Sequence, residues 1–271
     1  MRWILPLSVA LAAAAAAEPP SERPEAVLEA AFANRYEVDM ISEMEIVMRD
    51  RGGSEQKRLV QAVSKRIDGR AQSIGRVLEP ASLRGLTVFI SEVEDGGRDT
   101  FVYLPALLRA RRISGIQRLD SFLGSDLTYE DFERQRAADF SVEPLPPEDV
   151  AGEPCTMLRA VPRDQRAYAA LVLAVAPDRA ILEYRYFARG AQSPYRVIET
   201  PRSEMHREAG HLLPTRYSVR QLERGSATEL VLRKLSVNPE IDDRIFSVRT
   251  LDQQRPLPRV QAPRSSARGE P

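Results

Sequence analysis

The chain changes its hydrophobic period once, near Asp39. Before that point apolar positions recur every three to four residues. Leu28, Ala31, Phe32 and Arg35 therefore share one stripe of an amphipathic helix over 21–36, with Ser21 as its cap and Pro24 in its first turn. Beyond it the period is two. In 40–48, Met40, Ser42, Met44, Ile46 and Met48 occupy one face, while Glu43, Glu45 and Arg49 share the other with Ile41 and Val47. Similar alternation predicts strands at 58–67, 73–78, 86–93, 99–104, 156–161, 169–175, 180–187, 195–199, 214–221 and 228–235, with a last one around Phe246. Gly52-Gly53, Gly96-Gly97, Pro177-Asp178, Arg189-Gly190, Ala209-Gly210 and Arg224-Gly225 mark the turns. The expected class is α+β, mainly antiparallel β: a strongly bent sheet of roughly ten or eleven strands with the N-terminal helix against its concave side.

One interval, 107–149, breaks this rhythm. It contains an arginine-rich bend, a Gly124-Ser125-Asp126 segment, a charged run over 130–138 with helical character, and the cluster Pro144, Pro146, Pro147. At the N-terminus, Arg2 precedes an apolar run over 4–17 that ends in Ala15-Ala16-Ala17 before Glu18. That run is short of the roughly 20 residues a membrane span needs, and it reads as a secretory signal peptide over 1–17, cleaved near Glu18. The expected organisation is then a single domain over 18–251 and a proline-rich disordered tail over 252–271.

Composition narrows the function by exclusion. Basic and acidic residues balance at 39 each, which argues against nucleic acid as a partner. Cys155 is the only cysteine, so no intrachain disulfide forms, and its place in a strand-like run marks it as a packing residue. His206 and His211 stand alone without an acidic or cysteine cluster, so no metal site and no cofactor is expected. No nucleophile elbow, dinucleotide fingerprint, phosphate loop or zinc-protease motif occurs, and the expectation is a binding protein, not an enzyme.

The most specific stretch is 101–132, FVYLPALLRARRISGIQRLDSFLGSDLTYEDF. It resembles the "LP…R…RRI…SF.GSD.TYED" signature of the outer-membrane lipoprotein-sorting protein family, which is similar in fold to the periplasmic carrier LolA. The likeness extends through GEPCTMLRAVP, ALVLAVAPDRAILEYRYF and LPTRYSVRQLERGSATELVLRKLSVNPEIDDRIFSVRTL. It implies a half-open, strongly bent β-barrel enclosing helices, an apolar cavity between them, and a periplasmic role in outer membrane biogenesis. The implied ligands are lipid or lipoprotein acyl chains, whose burial contributes about 0.8 kcal/mol per methylene. An inner-membrane exporter of the resistance-nodulation-division superfamily is the implied partner; the alternative is an interaction subunit of such an exporter that carries no lipid. Under this resemblance the cavity-lining positions are Met40, Met44, Ile46, Met48, Val88, Ile90, Phe101, Tyr103, Leu171, Leu173, Tyr184, Tyr186 and Tyr217. Arg109, Arg111 and Arg112 are positioned for a lipid headgroup or partner, or else for pairing with Glu130, Asp131 and Glu133. Asp126, Thr128 and Tyr129 are expected to fix the local turn.

Overall fold

The computed structural model describes residues 22–94 and 96–260. Helix α1 (Pro24–Tyr36) starts on a proline at its first position, where the missing N–H costs nothing. The expected Ser21 cap and signal peptide lie outside the described residues. The strands follow in order: β1 (Met40–Arg49), β2 (Glu55–Ile67), β3 (Arg70–Glu79), β4 (Thr87–Glu92), β5 (Arg98–Leu104), β6 (Arg109–Ile113), β7 (Phe140–Val150), β8 (Glu153–Pro162), β9 (Ala170–Val175), β10 (Ile181–Phe187), β11 (Arg196–Glu199), β12 (Met205–Glu208), β13 (His211–Pro214), β14 (Arg216–Gln221) and β15 (Ser226–Val237). Short helix α2 (Val248–Asp252) comes last.

Thirteen of these strands form one antiparallel sheet in the order β6-β5-β4-β3-β2-β1-β15-β14-β11-β10-β9-β8-β7, leaving β6 and β7 as its free edges; β12 and β13 pair separately. Flat, such a sheet would be roughly 60 Å across at the usual strand spacing. Yet Val102 and Ile113 near one edge and Phe140 and Leu158 near the other belong to one core cluster with Leu28, Ala31 and Phe32 of α1. One face of the sheet therefore wraps around the helix. Register shifts in the β1–β15, β2–β3, β7–β8 and β9–β10 pairings supply local bending.

Both faces of the sheet are covered in places. Phe89, Phe101 and Tyr103 point away from α1 and pack with Ile241, Leu251 and Leu257. The segment after β15 lies over them, held by Gln61 Nε2 donating to the Pro258 carbonyl (2.7 Å) and Arg76 Nη1 to the Arg255 carbonyl (2.7 Å). The stretch 252–260, expected to be structureless, thus packs against the sheet through buried Leu257, because it has an uncovered apolar face to lie on. Residues 261–271 are outside the described set. Around Phe246 there is no strand but a 3-10 turn, Asp243–Ile245, leading into α2. On the other half, Cys155, Met157, Val172 and Ala174 face away from α1 and pack with Leu212, so Cys155 is a packing residue.

The interval 107–149 holds two strands that its composition obscures. β6 is rich in arginine, and β7 contains all three clustered prolines. Both are edge strands, where charge is favoured and a missing N–H leaves no ladder partner unsatisfied. Between them the chain is not α-helical. It makes 3-10 turns at Tyr129–Phe132 and Ala137–Asp139, the first closed by a capping box between Thr128 and Asp131.

Candidate functional site

The concave face of the sheet encloses a cavity of about 210 Å³. Its walls come from both halves of the sheet: Met40 and Met44 of β1, Val60 of β2, Val88 and Ile90 of β4, Tyr186 of β10, Ile198 of β11, Tyr217 of β14 and Leu230 and Leu232 of β15. The alternation of each strand puts these side chains on one face, and pairing brings them together; Met44, for example, sits between Val60 and Leu232. The remaining wall is supplied by Phe122, Leu127 and Phe132 from the Gly-Ser-Asp segment.

That segment is fixed inside the sheet by polar contacts at both ends. The Asp126 carboxylate accepts from Thr228 Oγ1 (2.9 Å) and Ser226 Oγ (2.5 Å) of β15. Asp131 forms a bidentate pair with Arg196 of β11 (2.8 Å each), and Arg196 also donates to the Asp126 carbonyl (3.0 Å). The Arg196 guanidinium lies 3.9 Å from the centre of the Tyr186 ring, itself a cavity wall. Burial alone would lower the pKa of Arg196, but Asp131 and Tyr186 more than offset this and raise it, keeping the group charged. Burial likewise holds the Tyr186 phenol well above its ordinary range, so it stays neutral.

A second set of buried charges secures the neighbouring turns. Glu133 pairs with Arg118 (Nε to Oε1, 2.7 Å), Arg98 with Asp139 (2.5 Å), and Glu92 accepts from the Ala71 amide (2.9 Å) as well as Arg136. One carboxylate is left short of partners. Glu130 is 1 % exposed, its Oε1 has no hydrogen bond, and Arg166 Nη1 stands 3.8 Å away. Burial raises its pKa to about 7; Arg166 and Arg118 oppose this, while Asp131 and Glu133 add to it. Because the folded state keeps this proton longer than the unfolded chain does, Glu130 favours folding below about pH 4.5, and the benefit is lost as pH rises through about 7. Glu130→Gln should abolish this component, raising stability at pH 8 by on the order of 2–3 kcal/mol relative to wild type. Parallel melting curves at pH 5 and pH 8 check this, and an unchanged difference between the two proteins would refute it.

Of the sequence-selected cavity residues, Met40, Met44, Val88, Ile90, Tyr186 and Tyr217 line the cavity. Ile46, Met48, Leu171, Leu173 and Tyr184 face the same side but are packed in the core against α1 and its neighbours. Phe101 and Tyr103 lie on the opposite face, beneath the C-terminal segment. Arg109, Arg111 and Arg112 are exposed on β6 and do not line the cavity, and Arg112 pairs with Asp99. Glu130, Asp131 and Glu133 are engaged by Arg166, Arg196 and Arg118 instead, because those arginines project into the same interior. Phe122, Leu127 and Phe132 were readable as apolar positions in the signature, but their inward placement depends on Asp126 and Asp131 reaching partners roughly 65–100 residues away in sequence. Among the described residues, no group of histidine, cysteine and acidic side chains could hold a metal ion.

No curated protein matches the chain. Among solved structures, a domain assigned to outer membrane lipoprotein sorting from Vibrio parahaemolyticus superposes with a TM-score of 0.77 at 19 % identity, covering 84 % of this chain and 98 % of that one. A DUF1329 family protein from Desulfovibrio piger gives a TM-score of 0.76 at 24 % identity, covering 85 % and 100 %. A LolA superfamily protein from Nitrosomonas europaea gives 0.66 at 20 % identity, covering 84 % and 98 %. A family model described as "Uncharacterized protein" spans residues 69–253. The chain belongs to that family, and its fold is the one shared by LolA-superfamily and lipoprotein-sorting domains.

Proposed function

We propose that the protein is a periplasmic carrier that holds a lipid or lipoprotein acyl chain in the cavity of a half-open, strongly bent barrel, whose seam lies between the edges β6 and β7. The observation that carries this reading is the interior cavity itself. Methionine, branched aliphatic and aromatic side chains make much of its wall, alongside charged residues such as Lys65, Glu92 and Arg134. Apolar walls give affinity in proportion to the methylenes they cover, without one obligatory polar contact, and methionine adapts to variable chain shapes. The lipoprotein-sorting and LolA-superfamily neighbours support the same assignment.

The walls also grade in polarity. Met44, Val60 and Leu232 are cross-strand neighbours and make an apolar stretch, whereas further along the same strands Ser64 sits between Met40 and Ser73. An amphiphile would therefore lie with its chain among the former and its polar group toward the latter. Export through a cleaved signal over 1–17, and delivery to or from an inner-membrane exporter, complete the proposal. The test is native mass spectrometry and lipid extraction of protein isolated from the periplasmic fraction. A reproducible bound lipid is the expected result. An empty cavity together with a stable exporter complex would overturn the carrier reading in favour of a lipid-free interaction subunit.

A further inference from the structure

Among the described residues, the large hydrophobic side chains left exposed are Leu107 (54 %), Leu108 (78 %), Ile116 (72 %) and Leu222 (47 %). Three of the four bracket a single strand. Leu107 and Leu108 form the turn that enters β6, and Ile116 lies in the 3-10 turn Gly115–Leu119 that leaves it. β6 is itself the last strand on this side of the sheet, with α2 packed on it and the Ala110 amide donating to Asp252 Oδ1 (2.6 Å), so the turns at its two ends are its open parts. Over 105–119 the chain carries Arg109, Arg111, Arg112 and Arg118 and no carboxylate, although the whole protein balances 39 basic against 39 acidic residues. Arg112 pairs with Asp99 and Arg118 with Glu133, whereas Arg109 and Arg111 have no carboxylate partner among the described residues.

Local structure does not account for this composition. Leu108 adopts φ 50°, ψ 31°, the left-handed region, which glycine enters freely and a leucine enters at a cost of about 1–2 kcal/mol. At 78 % exposure it recovers little of that by packing. Arginines on an edge strand guard against pairing with other chains, which explains β6 but not the leucines beside it. A protein partner is less favoured: protein-binding hot spots combine arginine with tryptophan and tyrosine and are poor in leucine, whereas 105–119 has arginines and leucines but no aromatic residue. Exposed leucines and isoleucine flanking unpaired arginines suit an anionic bilayer, whose headgroup boundary accepts the apolar tips while phosphates meet the guanidinium groups.

We propose that the β5–β6 turn and the β6 edge form a docking surface for an anionic phospholipid membrane, with Leu107, Leu108 and Ile116 entering the interface and Arg109 and Arg111 contacting lipid phosphates. This goes beyond the carrier reading and holds whether or not the cavity is loaded. The docking strand runs directly into the segment that supplies Phe122 and Leu127 to the cavity wall, so a docked molecule places that wall close to the bilayer.

Flotation with vesicles of phosphatidylcholine alone, and of phosphatidylcholine with phosphatidylglycerol at three to one, tests it on the protein as recovered from cells. Wild type should float with the anionic vesicles and release on raising salt. The Leu107→Ser/Leu108→Ser and Arg109→Gln/Arg111→Gln proteins should each bind at least about tenfold more weakly. Leu222→Ser, at the remaining exposed position, should bind as wild type does. All four residues changed in the double variants are exposed, and melting curves matching wild type verify their folds. Failure of wild type to float, or flotation of both double variants like wild type, would overturn the proposal. So would sedimentation showing that the leucine pair instead joins two copies of the chain, with no binding to vesicles.

Discussion

Replacing Arg196 by methionine is expected to lower the unfolding free energy by about 3–5 kcal/mol, the usual cost of stripping one partner from a buried ion pair. Arg196 is 2 % exposed and makes three hydrogen bonds to the Gly-Ser-Asp segment, two to the Asp131 carboxylate and one to the Asp126 carbonyl. Without it the Asp131 charge remains in a low-dielectric interior, where its carboxylate keeps the hydrogen bonds from the Thr128 amide and hydroxyl. The cation over the Tyr186 ring is lost as well. The decisive comparison is the double variant Arg196→Met/Asp131→Leu, in which both charges leave together and much of the loss should return. Urea denaturation of the single and double variants measures this. A single variant within about 1 kcal/mol of wild type would mean that the pair does not hold the segment.

This pair illustrates what the amino-acid pattern can and cannot reveal. The change of period at Asp39 located α1 and most strands, because alternation is a local property of each segment. Parity separated the two faces of β1, β4 and β10, and Met44, Val88, Ile90 and Tyr186, selected under the family resemblance, line the cavity. Parity gives two sides without saying which one faces in. Phe101 and Tyr103 share a face as expected, but on β5 that face lies outside, and only the cover provided by 241–260 shows why it is apolar. Nor does alternation say where along an inner face the core ends and the cavity begins. Met40 and Met44 line open space whereas Ile46 and Met48, further along the same strand, are packed solid. Four strands stayed hidden: β6 and β7 because edge positions admit arginines and prolines that read as loop, and β12 and β13 because four residues each are too few for alternation to show. The arginine–carboxylate pairings were hidden for a different reason: each links residues distant in sequence, and the choice among many arginines is made by the fold.

The largest effect on ligand binding is expected at Met44. It is half-buried, with Val60 and Leu232 as its cross-strand neighbours and the cavity in front of it. On the proposed carrier reading, a carboxylate there would lie against an acyl chain, and its desolvation would cost several kcal/mol unless it were neutralised. Met44→Glu should therefore weaken binding of a fluorescent fatty acid by about 100-fold or more. Met44→Leu, nearly equal in volume, should cost less than about 1.5 kcal/mol. Because Met44 is half-buried and borders the cavity as well as the core, the empty Met44→Glu protein can turn its carboxylate toward the cavity and stay folded, so affinity and stability separate at this position. Melting curves of both variants, recorded without ligand, establish that separation. If Met44→Glu remains folded and binds the probe as tightly as wild type, the ligand does not occupy this cavity. If it loses binding while Met44→Leu keeps it, the chain of the ligand lies against β1, between the strand pairings that set Met44 facing inward.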